Sequence, residues 1–456
     1  MEVSRDPDIR FAHARDASGL ELIPQLVARP SSVEEVSDTI RELAAKKIRI
    51  TPAGSQTSMT GSSITDDGAL MSLLVMNRII DIDVRRRRAR AQPGVRIGDL
   101  NRALAEHNLL FAPDPTSEND ATIGGAIACN ASGARTLHYG PTRNHVAGVR
   151  VAHADGSLQS YTREHPEKNC VGYSMIQDPV DWFVGSEGTL GIVVEAELAL
   201  VELPAATVGL AIPFHGLDKS LDFVVNARKQ GGRSARCLEL FDNHALIIAA
   251  DASGRAWPER AGAVIYVEDD AGEDDDSDAL LEYWLGLADA SEAMSDDIRV
   301  FRGAPELREA RVMRHAVPAT MNERGAQFRA SGGRKVSTDW AVPYPRLREA
   351  LRESEIAVKR HHAPTPVTYG HAGNGHPHQN FIAEDEGGLA RVNAAVHETL
   401  ERIIAMGGTV SAEHGLGKLK RHWMSLQLAP VQIEVMRQIK QALDPQGIFS
   451  PGNIFE

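Results

Sequence analysis

Apolar residues Val33, Val36, Ile40 and Leu43 recur at intervals of three and four, the spacing that turns one face of a helix toward a core. Ser31 and Ser32 precede them, and Glu34 and Glu35 follow three residues later, as in a capping box, where hydroxyl and carboxylate satisfy the first amides. The pattern predicts an amphipathic helix over residues 32–46. A β-like run follows over 48–51 and ends at Pro52. From there to about residue 200, short β-like runs are separated by glycine-rich turns. Around Pro204 glycine becomes sparser, and helical and strand-like segments alternate to about residue 400. A domain boundary is expected there, and no internal repeat is visible.

A chain of 456 residues exceeds one simple core, so two or three packed units are expected. The net charge of -13 disfavours nucleic acid and anionic membranes as direct partners, but leaves room for an anionic substrate in a local cationic pocket. The opening MEVSRDPDIR has no apolar core of a secretory signal, and no stretch reaches the ~18 apolar residues that span a bilayer. Cys129, Cys170 and Cys237, without a CxxC, exclude a four-cysteine cluster and point to reduced thiols. A cytoplasmic protein without a membrane span is expected, with peripheral or subunit association left open. Two charge runs predict solvated segments: a turn at 85–88 and a surface loop at 268–278. In the second, Asp274, Asp276 and Asp278 mimic a calcium loop, but Ala279 and Leu285 stand where glycine and a bidentate acid are required.

Four blocks in the first two hundred residues combine glycine, hydroxyls and amides: PAGSQTSMTG (52–61), PDPTSENDATIGGAIACNASG (113–133), YGPTRNHVAGV (139–149) and VGSEGTLGIVV (184–194). Glycine lets backbone amides approach an anion, and Ser or Thr adds short donors. Four such blocks imply a long polyanionic ligand. A Rossmann site is unsupported, since no GxGxxG follows a strand with an acid about 20 residues on. GLGK at 415–418 is no P-loop, because Leu419 replaces the magnesium-binding hydroxyl.

Together these blocks resemble the FAD domain of the vanillyl-alcohol-oxidase and p-cresol-methylhydroxylase flavoprotein superfamily. The resemblance implies that the first loop, with Pro52, Ala53, Gly54, Ser55, Gln56, Thr57, Thr60 and Gly61, cradles the pyrophosphate of FAD. Pro113, Asp114, Thr122, Gly124, Gly125, Asn130 and Gly133 would line the flavin, with Arg143, Glu187, Gly188 and Ile192 nearby. Several members tether flavin through a histidine in the first loop. Residues 52–61 contain none, so non-covalent FAD is expected.

A second signal lies in YGHAGNGHPHQN (369–380) and SAEHGLGKLK (411–420). Two imidazoles and a carboxylate can hold a divalent metal with open positions, and the glycine-rich spacing calls for a shaped loop or strand end rather than a helix. These blocks, with the terminal PGNIF (451–455), resemble the subgroup of D-lactate dehydrogenase, D-2-hydroxyglutarate dehydrogenase and the glycolate oxidase catalytic subunit. The resemblance implies His371, His378 and Glu413 as metal ligands, with zinc expected and manganese the alternative. It also implies His414 as catalytic base and Asn380 as a substrate contact. Arg314 and Lys335 are candidates for the substrate carboxylate. The chain departs from the subgroup at Asn374 and His376, where members carry Asp and Asn. Asn374 is expected to support a metal ligand through a hydrogen bond without charge. His376 is either a plain loop residue or an added donor toward the substrate.

The resemblance thus implies an α+β fold. A two-part FAD-binding domain would occupy 1–204 and an α+β substrate (cap) domain 205–410, with 411–456 packing back on the FAD domain. The implied reaction is oxidation of a D-2-hydroxy acid of the D-lactate, D-2-hydroxyglutarate or glycolate class, with an unidentified electron acceptor. The alternatives are a catalytic subunit of a glycolate-oxidase-like complex and an alcohol oxidase of the same superfamily.

Overall fold

A computed structural model describes residues 2–163, 167–229, 235–271 and 277–456. In the first half of the chain the strands are β1 (Glu2–Ser4), β2 (Leu26–Arg29), β3 (Ile50–Ala53), β4 (Ala69–Ser72), β5 (Ile79–Asp83), β6 (Arg88–Ala91), β7 (Leu109–Leu110), β8 (Val146–Ala152), β9 (Leu158–Thr162), β10 (Ile192–Ala199) and β11 (Val201–Glu202). In the second half they are β12 (Ala206–Phe214), β13 (Cys237–Asp242), β14 (Ala263–Ala271), β15 (Arg299–Arg302), β16 (Gly332–Ser337), β17 (Val367–His371) and β18 (His376–Asp385).

Two compact units emerge: Met1–Gly133, Gly140–Leu203 and Glu413–Glu456 form one, and Ala134–Tyr139 and Pro204–Ala412 the other. The first unit holds a sheet of order β1-β2-β4-β3 and another of order β5-β6-β10-β8-β9. The predicted helix spans Val33–Ala45 and links β2 to β3, both parallel to β4. Ser32 caps it by accepting from the Glu35 amide at 3.2 Å, while the Glu35 carboxylate accepts from the Ser31 amide at 2.8 Å. Val33, Val36, Ile40 and Leu43 pack with Ile50 and Met71. Burying each such side chain stabilises by about 1.5–3 kcal/mol. Pro52 does not end the strand as expected but sits inside β3. Because β3 is the edge of its sheet, the amide that proline lacks has no ladder partner to lose. Residues 85–87 are an exposed turn between β5 and β6. Ile448 and Phe449 join the first core, and along that seam the Ile50 amide donates to the Ile448 carbonyl at 2.7 Å while the Ile50 carbonyl accepts from the Ser450 amide at 2.8 Å.

The second unit is built on a sheet of order β15-β12-β14-β13-β17-β18-β16. Helices Asn243–Ser253 and Gly303–Ala326 pack on the face carrying Cys237, Phe241, Tyr266 and Tyr369. Side chains alternate along a strand, so Asp269 and Gln379 point to the other face. There they meet Trp284 and Ser354 at 3.0 and 2.8 Å, from helices Ser277–Ala290 and Leu347–Arg360.

The acidic run needs correction. Glu268 and Asp269 are not in a surface loop but buried in β14, while 272–276, with Asp274 and Asp276, lie outside the described residues. Asp278 opens a helix. Burial alone would raise the Glu268 carboxyl, but Arg135, Arg236 and Arg311 outweigh it and hold it below the usual carboxylate range. Glu268 is tolerated inside because the guanidiniums of Arg135 and Arg236 are buried with it.

Candidate active site

In the first unit the four glycine-rich blocks are knitted together. A Cβ added at Gly54 would stand 2.2 Å from Thr122 Oγ1, and one at Gly188 would stand 2.6 Å from Pro52 Cγ. Only glycine permits approaches this close. Thr122 caps the helix Ile123–Cys129, accepting from the Gly125 amide at 3.3 Å. The amides of Gly185 and Glu187 donate to the carbonyls of Ile127 and Ala128 at 2.9 and 2.8 Å, and Thr142 donates twice to the carbonyl of Ala131. Residues 54–59 and Gly124 and Gly125 stay half-buried, while Pro113, Asp114, Thr60 and Gly61 are buried. Half-buried amides and hydroxyls gathered from separate blocks fit a long phosphorylated ligand such as FAD.

Other residues in these blocks carry structural bonds. Gln56 donates to the carbonyls of His13 and Arg15 at 3.0 Å each. The His13 ring lies against Gln56, with Nδ1 2.9 Å from Gln56 Oε1 and Nε2 3.4 Å from Arg29. Arg143 pairs with Asp181, Nε to Oδ1 at 2.9 Å. Asn130 adopts φ +51 at the end of the helix and accepts from the Arg143 amide at 2.9 Å. Ile192 is buried at the start of β10. Ser55 donates to the Asp120 carbonyl at 2.6 Å.

Glu187 is buried, and its carboxylate accepts from the amides of Leu416 and Gly417 at 2.7 and 2.9 Å. Burial pushes its carboxyl above the usual range, against those amides and Lys418. Thr60 grips the same segment, donating to the His414 carbonyl at 3.3 Å and accepting from the Lys418 amide at 2.9 Å. The segment bearing Glu413 and His414 is therefore clamped to two of the glycine-rich blocks of its own unit.

In the second unit β17 and β18 form a hairpin through a turn at Ala372–Asn374, with His371 opposite His376 and Tyr369 opposite His378. Alternation puts His371, His376, His378 and Asn380 on one face. All four are buried. The ligand nitrogens of the three histidines lie within 4.8 Å of one another, near the about 4.2 Å that two ligands on one ion can span. His371 Nδ1 stands 2.7 Å from Glu239 Oε1, and Arg314 Nε lies 3.2 Å from the other oxygen of Glu239. The carboxylate accepts from Nδ1–H, so His371 presents the lone pair of Nε2.

Lys335, on β16, bonds to Asn322 of helix Gly303–Ala326, eight residues beyond Arg314, or about 12 Å along a helix. The two cations are thus apart. Burial lowers the Lys335 ammonium to about 8. Asn380 donates to the Tyr369 hydroxyl at 2.9 Å.

Asn374 is not the partner of a histidine here: it is exposed in the hairpin turn, and the acceptor beside His371 is the Glu239 carboxylate. His376 is no loop residue but a buried member of β18. Glu239 and Asp339 were missed in the sequence. The available signal was an acid inside the apolar run CLELF at 237–241, on the same side of a strand as Cys237 and Phe241, where a carboxylate needs a buried partner.

Comparison with known proteins shows an FAD-binding domain in the first part of the chain. Residues 203–454 match the family model described as FAD linked oxidases, C-terminal domain, and residues 24–162 match FAD binding domain. The chain is 31% identical over 452 residues to glycolate oxidase subunit GlcD of Bacillus subtilis (strain 168), covering 98% of this chain and 92% of that protein. It is 30% identical over 434 residues to D-lactate dehydrogenase of Archaeoglobus fulgidus, covering 94% and 91%. It is 28% identical over 466 residues to D-2-hydroxyglutarate dehydrogenase of Stutzerimonas stutzeri (strain A1501), covering 100% and 96%. The fold is shared with a solved alkyldihydroxyacetonephosphate synthase at TM-score 0.73 and 17% identity, over 98% of this chain and 82% of that one. Among the described residues, no helix is long and apolar enough to cross a membrane. With its C-terminal family model covering more than half of the chain, and an FAD binding domain before it, this protein belongs to the FAD-linked oxidases.

Proposed function

We propose that the chain catalyses metal-assisted, FAD-dependent oxidation of a D-2-hydroxy acid to the 2-oxo acid, within the D-lactate, D-2-hydroxyglutarate and glycolate class. The observation that carries this is the buried imidazole cluster oriented by Glu239, in a chain that aligns almost end to end with relatives named for such acids. Residues 1–204 with 411–456 are the proposed FAD-binding part and 205–410 the substrate part.

His371, His378 and Glu413 are the proposed metal ligands. The Ala412 amide donates to the Asp339 carbonyl at 2.8 Å, and Asp339 Oδ1 is 3.5 Å from His376 Nε2. The carboxylate and base proposed here follow at the next two positions. Imidazoles plus one carboxylate suit zinc, with manganese the alternative. When bound, the metal supplies a Lewis acid for the substrate oxygens and FAD supplies the hydride acceptor. His414 takes the hydroxyl proton, as an imidazole can near neutral pH. Arg314, beside the histidines on Glu239, or Lys335 attracts the carboxylate, and Asn380, held by Tyr369, orients it.

The test is anaerobic mixing with each enantiomer of a 2-hydroxy-acid panel, with and without chelator. The D form is expected to bleach the flavin and the L form to do so ~10²-fold more slowly, since orientation sets which hydrogen faces the acceptor. Equal bleaching by both would defeat the site. If the isolated chain reduces artificial acceptors it is self-sufficient; a need for partners would fit the relative that is named as a subunit.

Non-covalent FAD is part of the same reading. Loop 52–61 has no histidine, and both ring nitrogens of the neighbouring His13 are engaged. Acid should release intact FAD, and flavin retained on the denatured chain would overturn this.

Lys335 gives a pH dependence. It is charged below about 8 and loses its charge above, so kcat/KM for the anionic acid should fall as pH rises through that value. This profile reports free-enzyme groups. In Lys335→Arg the alkaline fall should vanish; its persistence would remove Lys335 from the substrate site.

A further inference from the structure

His376 is placed as a ligand would be. It is 3% exposed and stands opposite His371 in the hairpin. Its ring centroid lies 5.5 Å from that of His371 and 4.6 Å from that of His378. Its Nδ1 is 2.8 Å from the Trp340 carbonyl oxygen. A carbonyl only accepts, so Nδ1 carries the proton and Nε2 presents its lone pair. His371 is set the same way by Glu239. Two backbone-remote partners thus fix two imidazoles in the tautomer that exposes Nε2, as outer groups do around metal-bound histidines. Asp339 lies near Nε2, but its Oδ1 stands 3.5 Å away and its Oδ2 accepts from Ser411 Oγ at 2.6 Å. At 3.5 Å the histidine–aspartate pair is longer than a good hydrogen bond.

We propose that His376 is a third imidazole ligand, so that the centre in this chain is a three-histidine site. This rests on the metal reading above and goes beyond it. A third neutral nitrogen shifts preference toward zinc, cobalt, nickel and copper and away from magnesium, calcium and manganese.

The experiment uses the FAD-loaded protein after chelator treatment. Zn2+ affinity is measured by competition with a chromophoric chelator, and Cu2+ serves as a pulsed-EPR probe that counts coordinated imidazoles. His376→Asn should remove one imidazole from the count and weaken Zn2+ binding by about 100-fold or more, beyond the usual range for an outer partner. An unchanged count overturns the proposal and leaves His376 as a partner of Asp339. The parent reading fails separately, if His371→Ala and His378→Ala also leave Zn2+ affinity unchanged, or if the wild-type protein binds no Zn2+; either result sinks both. Should His376→Asn lose its FAD or unfold, the wild-type count decides. Three or more imidazoles support the ligand and two exclude it.

Discussion

His378→Ala is expected to lower turnover by about 10³-fold while FAD stays bound. A metal acting on a substrate oxygen supplies several kcal/mol of charge stabilisation, and each 1.36 kcal/mol is worth about tenfold in rate. His378 is the centre of the cluster, 4.6 Å from the His376 ring and 5.2 Å from the His371 ring. Its removal takes away one of the proposed ligands from the middle of the group. Flavin retention follows from where the glycine blocks close. Gly54 on Thr122, Gly188 on Pro52 and the Glu187 amide on Ala128 are contacts within the first unit. His378 is on β18 of the second. The measurement is kcat with an artificial acceptor beside the flavin absorbance of the purified variant. Full turnover would dispose of the metal role. Joint loss of flavin and turnover would mean that the substitution damaged the fold rather than the chemistry.

What could be read from the chain divides along the range of the interactions. The helix Val33–Ala45 is local: its cap, its apolar stripe and its length are written within fifteen residues. The glycine blocks are also legible, because each needs small residues where backbones cross, as at Gly54 and Gly188. Which block meets which is not legible, since those contacts join residues tens of positions apart. The same limit explains the site. His371 and His378 announce themselves by spacing. Glu239 lies 132 residues before His371 and reaches it only because β13 pairs with β17. The sequence drew attention to Asn374 because it is adjacent, yet the hairpin turns it to solvent. His376 was open to two readings because strand alternation, which buries it beside His378, becomes certain only once the hairpin register is known.

Glu239 should therefore be the most sensitive position outside the proposed ligands. It is 2% exposed at its side chain, accepts from His371 on one oxygen and pairs with Arg314 on the other. Glu239→Ala would let the His371 ring turn and would leave the Arg314 guanidinium, 13% exposed, without its buried countercharge. Breaking a buried pair from one side costs about 3–5 kcal/mol, so a large fall in thermal stability is expected with it. Losing an outer partner of a metal-bound histidine lowers metal affinity about 10–100-fold. Glu239→Gln separates these effects. Its amide oxygen can still accept from His371 Nδ1–H, so the tautomer is kept while the charge is lost. Metal affinity should then fall toward the smaller end of that range. Arg314 would be released from its carboxylate, and a substrate carboxylate would compete less for it. KM for the hydroxy acid should therefore fall in Glu239→Gln even as kcat drops with the weakened metal. A purely structural role for Glu239 predicts instead that kcat and KM keep their wild-type values in every molecule that folds. The measurement is kcat and KM at saturating and limiting Zn2+ for both variants. Unchanged kcat and KM in a stably folded Glu239→Gln would show that this carboxylate does not tie the cluster to its arginine.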